Sequence, residues 1–231
     1  MCGRFTLTSP DGALVQFNLP GLPALEPRYN IAPTQPVAVV RMAAQDASRE
    51  LVLLKWGLIP YWAKDPSLGA RLINARCETV AQKPAFRDAF RKRRCLVVAD
   101  GFFEWQKQNG GKQPFYIRLR EGGLFGMAGL WEAWRGAEGV IESCTLITTN
   151  ANDLMRPIHD RMPVILEPRD YDLWLERGLR QGELLLPLLR PLPSEEMIAY
   201  PVSRRVNSPE NDDPHCIEPL VHGQSSSLPG M

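Results

Sequence analysis

Short apolar runs rich in β-branched residues recur along the chain, separated by proline, glycine and polar positions. Runs of this composition, bounded by turn residues, are typical of β-strands. The pattern predicts strands at VAVVRM (37–42), ELVLLKW (50–56), CLVVAD (95–100), FYIRL (115–119), LFGMAGLW (124–131), VIESCTLITT (140–149), MPVIL (162–166) and MIAYPV (197–202). QNGGK (108–112) lies between two of these runs and is typical of a hairpin turn.

Helical patterns are fewer. PAFRDAFRKRR (84–94) begins with a proline suited to a first helical turn and places two phenylalanines four residues apart on one face. EPRDYDLWLERG (167–178) ends on glycine, as helices often do. GELLLPLL (182–189) predicts a shorter helix that its internal proline interrupts.

The predicted strands outnumber the helices and do not alternate with them regularly. This order favours an α+β fold, with a curved, mainly antiparallel β-sheet or barrel as its core and a few flanking helices. Because no linker rich in proline, serine or glycine divides the chain, we expect a single compact domain over residues 1–222. GQSSSLPGM (223–231) is predicted to be a disordered tail.

The composition is that of an ordinary globular protein, with 231 residues, 44% hydrophobic and 23% charged. The longest apolar runs, LVLL (51–54) and LLLPLL (184–189), are too short to span a bilayer. The N-terminus lacks a basic stretch followed by an apolar one, so we expect no secretion signal, no membrane partner and a cytoplasmic location. Five cysteines without a CxxC pair argue against a disulfide framework and a zinc site, and no metal or other cofactor is expected.

Charge is unevenly distributed, although the formal net charge is only +1. Between Arg71 and Arg94 there are eight basic residues against two acidic ones, Glu78 and Asp88, whereas residues 207–218 carry four acids and neither lysine nor arginine. A neutral molecule is not expected to bind polyanions non-specifically. The local separation predicts a polarised surface that could contact phosphates.

The chain opens with MCGRF, which places a cysteine directly after the initiator methionine. Cysteine is small enough for an aminopeptidase to remove Met1. The mature protein would then begin at Cys2, with a free α-amine and a thiol on adjacent carbons. This 1,2-aminothiol is the first candidate reactive group.

The stretch ADGFFEWQK (99–107) follows an apolar run and is predicted to continue as a strand. In strand alternation Phe102 and Glu104 share one face, and Phe103 and Trp105 share the other. Because both faces are aromatic, we expect the strand to be covered on both sides and Glu104 to be held near apolar surface. Burial of a carboxylate favours its protonated form. The alternative is a structural ion pair between Glu104 and an arginine such as Arg76.

Two further segments carry candidate polar groups. MRPIHDRMPVIL (155–166) holds His159 in a turn just before a strand, beside arginines that favour a neutral imidazole able to accept a proton, although a lone histidine is more often structural. RLINARCETV (71–80) offers Asn74 and Arg76, which would project to the same side of an extended segment. An amide next to a guanidinium suits an oxygen-rich ligand such as a phosphodiester, and the alternative is a solvent-facing loop.

Aromatic residues accompany prolines and amides in PRYNIAPTQP (27–36) and WGLIPYWAKD (56–65). Aromatic rings between cations suit a single nucleic-acid strand, because bases stack on the rings while the cations bind phosphates. The same residues are also ordinary core material, and for Trp56 the core is the favoured interpretation.

Taken together and in order, these segments resemble the SOS response-associated peptidase (SRAP) family. The resemblance rests on MCGRF, RYNIAPTQ, WGLIPYWAKD, NARCETV, FRDAFRKRRCLVVADGFFEW, TTNAN, IHDRMPVIL and VSRRVNSPENDDPHCIEP, and covers residues 2 to about 219. It implies a compact α+β domain that binds single-stranded DNA near single-strand/double-strand junctions. It further implies a covalent thiazolidine bond between the N-terminal cysteine and the sugar of an abasic site.

The resemblance also implies roles for individual residues. Cys2 would condense with the open-chain sugar aldehyde and close the thiazolidine, protecting the lesion from strand breakage. Glu104 would exchange protons at the amine and the sugar oxygen, and His159 would serve ring opening and imine chemistry, or the two roles are exchanged. Asn74 would orient Cys2. The phosphates flanking the lesion would be bound by Arg4, Arg76 and Arg161.

Two other functions remain open from the sequence. The family name points to a peptidase with an N-terminal cysteine nucleophile and autoproteolytic removal of Met1. A protein that only reads the DNA lesion, without a covalent bond, is the other alternative. For either DNA function we expect a monomer that is associated with the nucleoid when bound.

Overall fold

The strands follow the hydrophobic runs closely in the computed structural model, which describes residues 2–21, 23–44, 48–179 and 182–220. Within these ranges the strands are β1 (Phe5–Leu7), β2 (Arg28–Ile31), β3 (Pro36–Met42), β4 (Arg49–Trp56), β5 (Asn74–Arg76), β6 (Arg94–Ala99), β7 (Gly101–Gln108), β8 (Gly111–Leu119), β9 (Phe125–Gly136), β10 (Gly139–Asn150), β11 (Arg161–Pro163), β12 (Ile165–Leu166) and β13 (Met197–Pro201). The α-helices are α1 (Ala13–Gln16), α2 (Arg87–Lys92) and α3 (Tyr171–Leu175). Short 3₁₀ turns lie at Pro10–Gly12, Pro66–Arg71, Pro168–Asp170, Gly182–Leu184, Leu186–Leu188, Ser194–Glu196, Arg204–Asn207 and Pro214–Cys216.

Five of the strands close into a barrel. The pairings run from β10 to β4, β3, β6 and β9, and β9 pairs with β10 to complete the ring. All of these pairs are antiparallel except the parallel pair of β10 with β4. A barrel removes the unpaired edges of an open sheet, so the long strands β9 and β10 bond on both sides. The segments β5 and β11 pair with the far part of β10, and β12 pairs with β9.

A second, five-stranded sheet has the order β13-β8-β7-β1-β2 and packs against the barrel. The chain passes from β6 of the barrel into β7 of this sheet through the single residue Asp100. Phe5 and Phe102 belong to the same hydrophobic core as the barrel, and the Phe5 ring centroid lies 5.0 Å from that of Trp56. The opposite face carries a smaller cluster in which Phe103 packs with Val206 from the C-terminal part of the chain.

The predicted α+β class with a curved, mainly antiparallel barrel is confirmed. All eight strands predicted from the apolar runs are present, as is the strand predicted at 99–107, but the run at 162–166 is divided into β11 and β12. The physical reason is that the chain crosses from β10 to β9 there: Val164 donates its N–H to Ile147 O and accepts from Ala128 N. The hairpin turn predicted at 108–112 joins β7 to β8, with positive φ at Gly110 and Gly111.

The helix predictions were too long. The segment 84–94 forms a helix only over Arg87–Lys92, and 167–178 only over Tyr171–Leu175 after a 3₁₀ turn. The helix predicted at 182–189 is wrong: the chain forms two 3₁₀ turns around Leu185. Pro187 lacks the N–H that a continuous helix needs, and its ring clashes with the preceding turn. None of the helices in the described ranges could cross a membrane. The boundary predicted at residue 222 and the tail 223–231 lie outside the described residues.

Candidate functional site

Cys2 lies fully buried in the extended segment that leads into β1. Its backbone carbonyl accepts a 2.7 Å hydrogen bond from the side-chain Nδ2 of Asn74. Its thiol points towards the backbone carbonyl of Arg4, with 3.8 Å between Sγ and O. The residue that would become the N-terminus is therefore held by a side chain of a distant strand and by a backbone carbonyl two residues further along the chain.

Asn74 and Arg76 lie on β5, which pairs in parallel with the far part of β10. Ala75 between them is buried in the core, so the two polar side chains project to the opposite side, as the extended pattern predicted. The amide of Asn74 is oriented by its bond to the Cys2 carbonyl, because only Nδ2 can donate there. Its Oδ1 is buried and has no hydrogen-bond partner among the described residues. This acceptor therefore remains available next to Cys2.

Glu104 is buried in the middle of β7, with 3% of the residue exposed. Phe102 and Phe103 are fully buried on the two faces of this strand, which confirms that it is covered on both sides. Burial raises the pKa of the Glu104 carboxyl above its ordinary value, and the nearby His159 partly opposes that shift. A buried carboxyl can donate a proton when it is protonated and accept one when it is ionised.

His159 is the ion-pair partner that the structure brings to Glu104, with 3.9 Å between Nε2 and Oε2. Arg76, the arginine considered as an alternative partner, is an exposed side chain on β5. The histidine ends a turn that precedes β11, and its Nδ1 accepts a 3.0 Å hydrogen bond from the backbone N–H of Arg161. The other ring nitrogen, Nε2, faces the carboxyl of Glu104.

The thiol of Cys2 is strongly protonated in this environment. Burial, together with the nearby charge of Glu104, raises its pKa to about 12. A base must therefore accept the thiol proton before or while the sulfur forms a bond, and Glu104 is the carboxylate whose charge reaches it. Cys2, Asn74, Glu104 and His159 thus form one site, which we call the Cys2 site.

The three arginines predicted to bind phosphate have different environments. Arg76 is exposed and makes no ion pair among the described residues. Arg4 is half-buried, and its Nη1 donates to Asn30 Oδ1 at 2.8 Å and to Val206 O at 2.9 Å, both uncharged acceptors. Within this part of the chain, neither guanidinium group therefore has a carboxylate that would compete with a phosphate.

Arg161 is largely buried and already bonded. Its guanidinium makes a two-pronged ion pair with Glu78, with N–O distances of 2.5 and 3.0 Å, and also donates to Asn150 Oδ1 and Thr148 O. A phosphate would have to compete with Glu78 for this group. The backbone N–H of Arg161 also bonds to His159 Nδ1 and so positions the imidazole ring.

The basic stretch between residues 71 and 94 does not form one continuous surface. Arg94 is buried and donates to the backbone carbonyls of Phe90 and Trp174. Arg93 pairs with the buried Glu132 at 2.7 Å. The predicted polarised surface therefore loses at least these two charges, which stabilise the junction of α2 and α3 with the barrel.

Two aromatic side chains in WGLIPYWAKD are exposed, Tyr61 by 55% and Trp62 by 48%. Trp56, by contrast, is fully buried against Phe5, which confirms its assignment to the core. Adjacent exposed rings on a protein surface are available for stacking on flat ligands.

Sequence reasoning did not identify Glu78 or Asp160 as site residues. Glu78 holds Arg161, and Asp160 Oδ1 lies 3.0 Å from His159 Nδ1. The position of Glu78, as one of two acids in a basic stretch, was an available signal. The described residues contain no cluster of three or more His, Cys, Asp or Glu side chains that could hold a metal ion, and the five cysteines are free thiols.

Comparison with known proteins gives a consistent family. A family model described as SOS response associated peptidase (SRAP) matches residues 1–209. The chain is 44% identical over 224 residues to the abasic site processing protein YoqW of Bacillus subtilis, covering 94% of this chain and 99% of YoqW. It is 32% identical to the abasic site processing protein HMCES of Xenopus tropicalis, covering 85% of this chain and 67% of HMCES.

A crystal structure of a protein from Bacteroides thetaiotaomicron has the same fold, with a TM-score of 0.84 and 27% sequence identity, covering 95% of this chain and 100% of that chain. The fold, the family model and the relatives agree over nearly the whole sequence. This chain therefore belongs to the SOS response associated peptidase (SRAP) family.

Proposed function

We propose that this protein captures abasic sites in single-stranded DNA covalently, through the amine and thiol of Cys2 after removal of Met1. The open-chain sugar aldehyde and the Cys2 amine form a carbinolamine, which loses one water to give an imine. The thiol sulfur then bonds to the imine carbon, and its proton is transferred to the imine nitrogen. The product is a five-membered thiazolidine, and one water is the only leaving group.

The observation that carries this proposal is the convergence of four side chains from distant segments on the Cys2 site. Asn74 bonds the Cys2 carbonyl at 2.7 Å, and the buried pair of Glu104 and His159 supplies a proton donor and acceptor beside it. The Asn74 Oδ1, which lacks a partner among the described residues, suits an N–H of the amine or a sugar hydroxyl. Relatives with the name abasic site processing protein support the same substrate.

The placement of the thiol beside its own amine favours this chemistry over a peptidase. Burial raises the pKa of the Cys2 thiol to about 12, so either reaction needs a base such as Glu104 to accept the thiol proton. An imine carbon accepts sulfur more readily than a peptide carbonyl does, and ring closure within one residue gains an effective molarity on the order of 10⁵ M. The peptidase remains the second candidate through the family's description alone.

Proton transfer divides between the two acid–base residues. A free α-amine has a pKa of roughly 7.7–8.0, so about a tenth to a third of it is neutral near neutral pH. Glu104 would take the remaining proton from the amine and later receive the thiol proton. His159, with its Nε2 towards Glu104, would donate to the sugar oxygen during ring opening and to the departing hydroxyl of the carbinolamine.

Exposed cationic and aromatic side chains suit single-stranded DNA. Arg76 would bind a phosphate flanking the lesion, and Tyr61 and Trp62 would stack on unpaired bases. Base stacking requires unstacked, accessible bases, so abasic sites in single strands near junctions with duplex are the proposed targets. The DNA-bound protein would then be associated with the nucleoid.

Closing the ring also explains why the protein would protect the DNA rather than cut it. An imine at the sugar's first carbon promotes β-elimination and strand breakage, because it accepts the electron pair of the C–H bond that breaks. Addition of the thiol removes the imine. A residue with an amine but no thiol would keep the strand-breaking intermediate.

The test uses single-stranded DNA with one abasic site and the Cys2→Ser variant, with Cys77→Ser as the matched thiol control. Mass spectrometry first establishes that the chain begins at Cys2. Wild type and the control are expected to form a heat-stable crosslink, whereas Cys2→Ser should lose it and nick the strand instead. Equal stable crosslinking by Cys2→Ser, or an active protein that retains Met1, would overturn the proposal. Release of a peptide without DNA would favour the peptidase.

A further inference from the structure

A second cationic surface lies on the outer face of the β7–β8 hairpin. A groove of about 440 Å³ opens there, lined by Arg4, Trp105, Lys112, Arg204 and Asn207. Three of these five residues are cations and none is an acid. The exposed side chains Lys112 and Arg204 make no ion pair within the described part of the chain, so their charges are not neutralised internally.

The hairpin register adds a fourth positive charge. Lys107 on β7 lies directly opposite Lys112 on β8, so the two side chains share this face. Like charges directly opposite in an antiparallel pair are destabilising. A bound anion would relieve this repulsion.

Trp105 indicates what the groove would accept. Its Nε1 donates to Asn207 Oδ1 at 2.8 Å, and the Arg4 guanidinium carbon lies 5.9 Å from its ring centroid. The indole therefore holds Asn207 in place and has the Arg4 cation over one of its faces. Because three cations and no acid line the groove, it suits phosphates.

Arg4 joins this groove to the Cys2 site. Its backbone carbonyl is the group that faces the Cys2 thiol, and the same carbonyl accepts from Phe103 N in the sheet. Its side chain extends to the other face and lines the groove. Two residues of extended chain span roughly 7 Å. The groove therefore lies beside the reacting sugar, within reach of the phosphates that flank it.

We propose that this groove binds the phosphodiester backbone on one side of the abasic nucleotide, with Lys112 and Arg204 as its phosphate ligands. The proposal rests on the proposed function for its choice of DNA as the polyanion. It also predicts that the DNA strand crosses the site in one direction, because the groove lies to one side of Cys2. It also assigns a role to two cations outside the Cys2 site.

The test is the double variant Lys112→Ala/Arg204→Ala, with Arg169→Ala/Arg190→Ala as the matched control. The control removes two exposed cations near β12, both of which contact Glu167. Binding of intact single-stranded DNA is measured by fluorescence anisotropy over a range of salt concentrations, so this readout does not depend on covalent chemistry. Each lost phosphate contact lowers the salt slope by about 0.7.

The groove variant should therefore lose about 1.4 from the slope and bind about 25-fold more weakly at 0.1 M salt, while the control stays near wild type. An equal effect of both variants, or a slope unchanged by the groove variant, overturns the proposal. Thermal unfolding should show no loss of stability in the groove variant, because it removes the repulsion between Lys107 and Lys112.

Polarity is tested with two abasic oligonucleotides that extend only to the 5′ side or only to the 3′ side of the lesion. The groove variant should crosslink more slowly than wild type on one of them. An equal loss on both overturns the one-sided assignment. If wild type forms no crosslink at all, the proposed function fails, whereas the salt dependence on intact DNA still tests the groove.

Discussion

Replacing Glu104 by glutamine should slow crosslinking strongly. The substitution keeps the shape of the side chain and removes its ability to exchange a proton. The carboxyl is buried, and its Oε2 lies 3.9 Å from His159 Nε2. A positioned acid or base contributes typically 10²- to 10⁴-fold, so the rate should fall by that factor. This equals about 2.7–5.4 kcal/mol of activation free energy.

The same substitution should make the folded protein more stable at neutral pH. Burial raises the pKa of Glu104 above its unfolded value, so the folded state binds the proton more tightly than the unfolded state does. The stabilisation from this proton is complete below the unfolded pKa of about 4.3 and is lost as the pH rises through the folded pKa. A tenfold difference in proton affinity between the two states corresponds to about 1.4 kcal/mol. Glutamine does not ionise and avoids this loss.

Urea denaturation of both proteins between about pH 4 and pH 8 measures the difference in free energy of unfolding. The advantage of Glu104→Gln should grow as the pH rises. Glu132→Gln is the matched control for the crosslinking rate, because Glu132 is also buried with a raised pKa but lies on β9 and pairs with Arg93. The reasoning is refuted if Glu104→Gln crosslinks within about tenfold of wild type, or if its stability difference does not change with pH.

Two further predictions concern the residues that hold the site. Asn74→Ala removes the 2.7 Å hydrogen bond to the Cys2 carbonyl. It should lower the free energy of unfolding by about 1 kcal/mol and slow crosslinking at least tenfold. A crosslinking rate within twofold of wild type would contradict the orienting role of Asn74. The ion pair with Arg161 lowers the pKa of Glu78 to about 2, so its stabilisation is present above about pH 4.5 and lost as the pH falls towards 2. Glu78→Gln should therefore be less stable than wild type at pH 7 but not near pH 2 in urea denaturation, and an equal difference at both pH values would contradict the pair's contribution.

Much of the fold follows from local patterns. The strand at Gly101–Gln108 was predicted with its two faces correctly assigned, because Phe102 and Phe103 alternate and both need cover. Burial of Glu104 followed from the same argument. The apolar runs at 124–131 and 140–149 predicted β9 and β10, although both strands continue beyond the predicted C-terminal ends.

Short elements were harder to predict. The strands β1, β2 and β5 have three or four residues each, too few to show a period of two. Long neighbouring strands provide hydrogen-bond partners for two of them, β7 for β1 and β10 for β5, and β2 pairs in turn with β1. The predicted helices were too long because a helical pattern in the sequence does not show where packing against the barrel ends.

The amino-acid sequence alone determined which of the longer segments are strands, which side chain can offer an amine beside a thiol, and which polar residues accompany it. Local periodicity reveals the strands because burial of one face of a strand sets which positions along the chain are apolar. Only the tertiary structure decided the partners, since Asn74 meets Cys2 across 72 positions and Arg161 meets Glu78 across 83. Such contacts depend on the order and register of strands in a closed barrel, which no local pattern encodes.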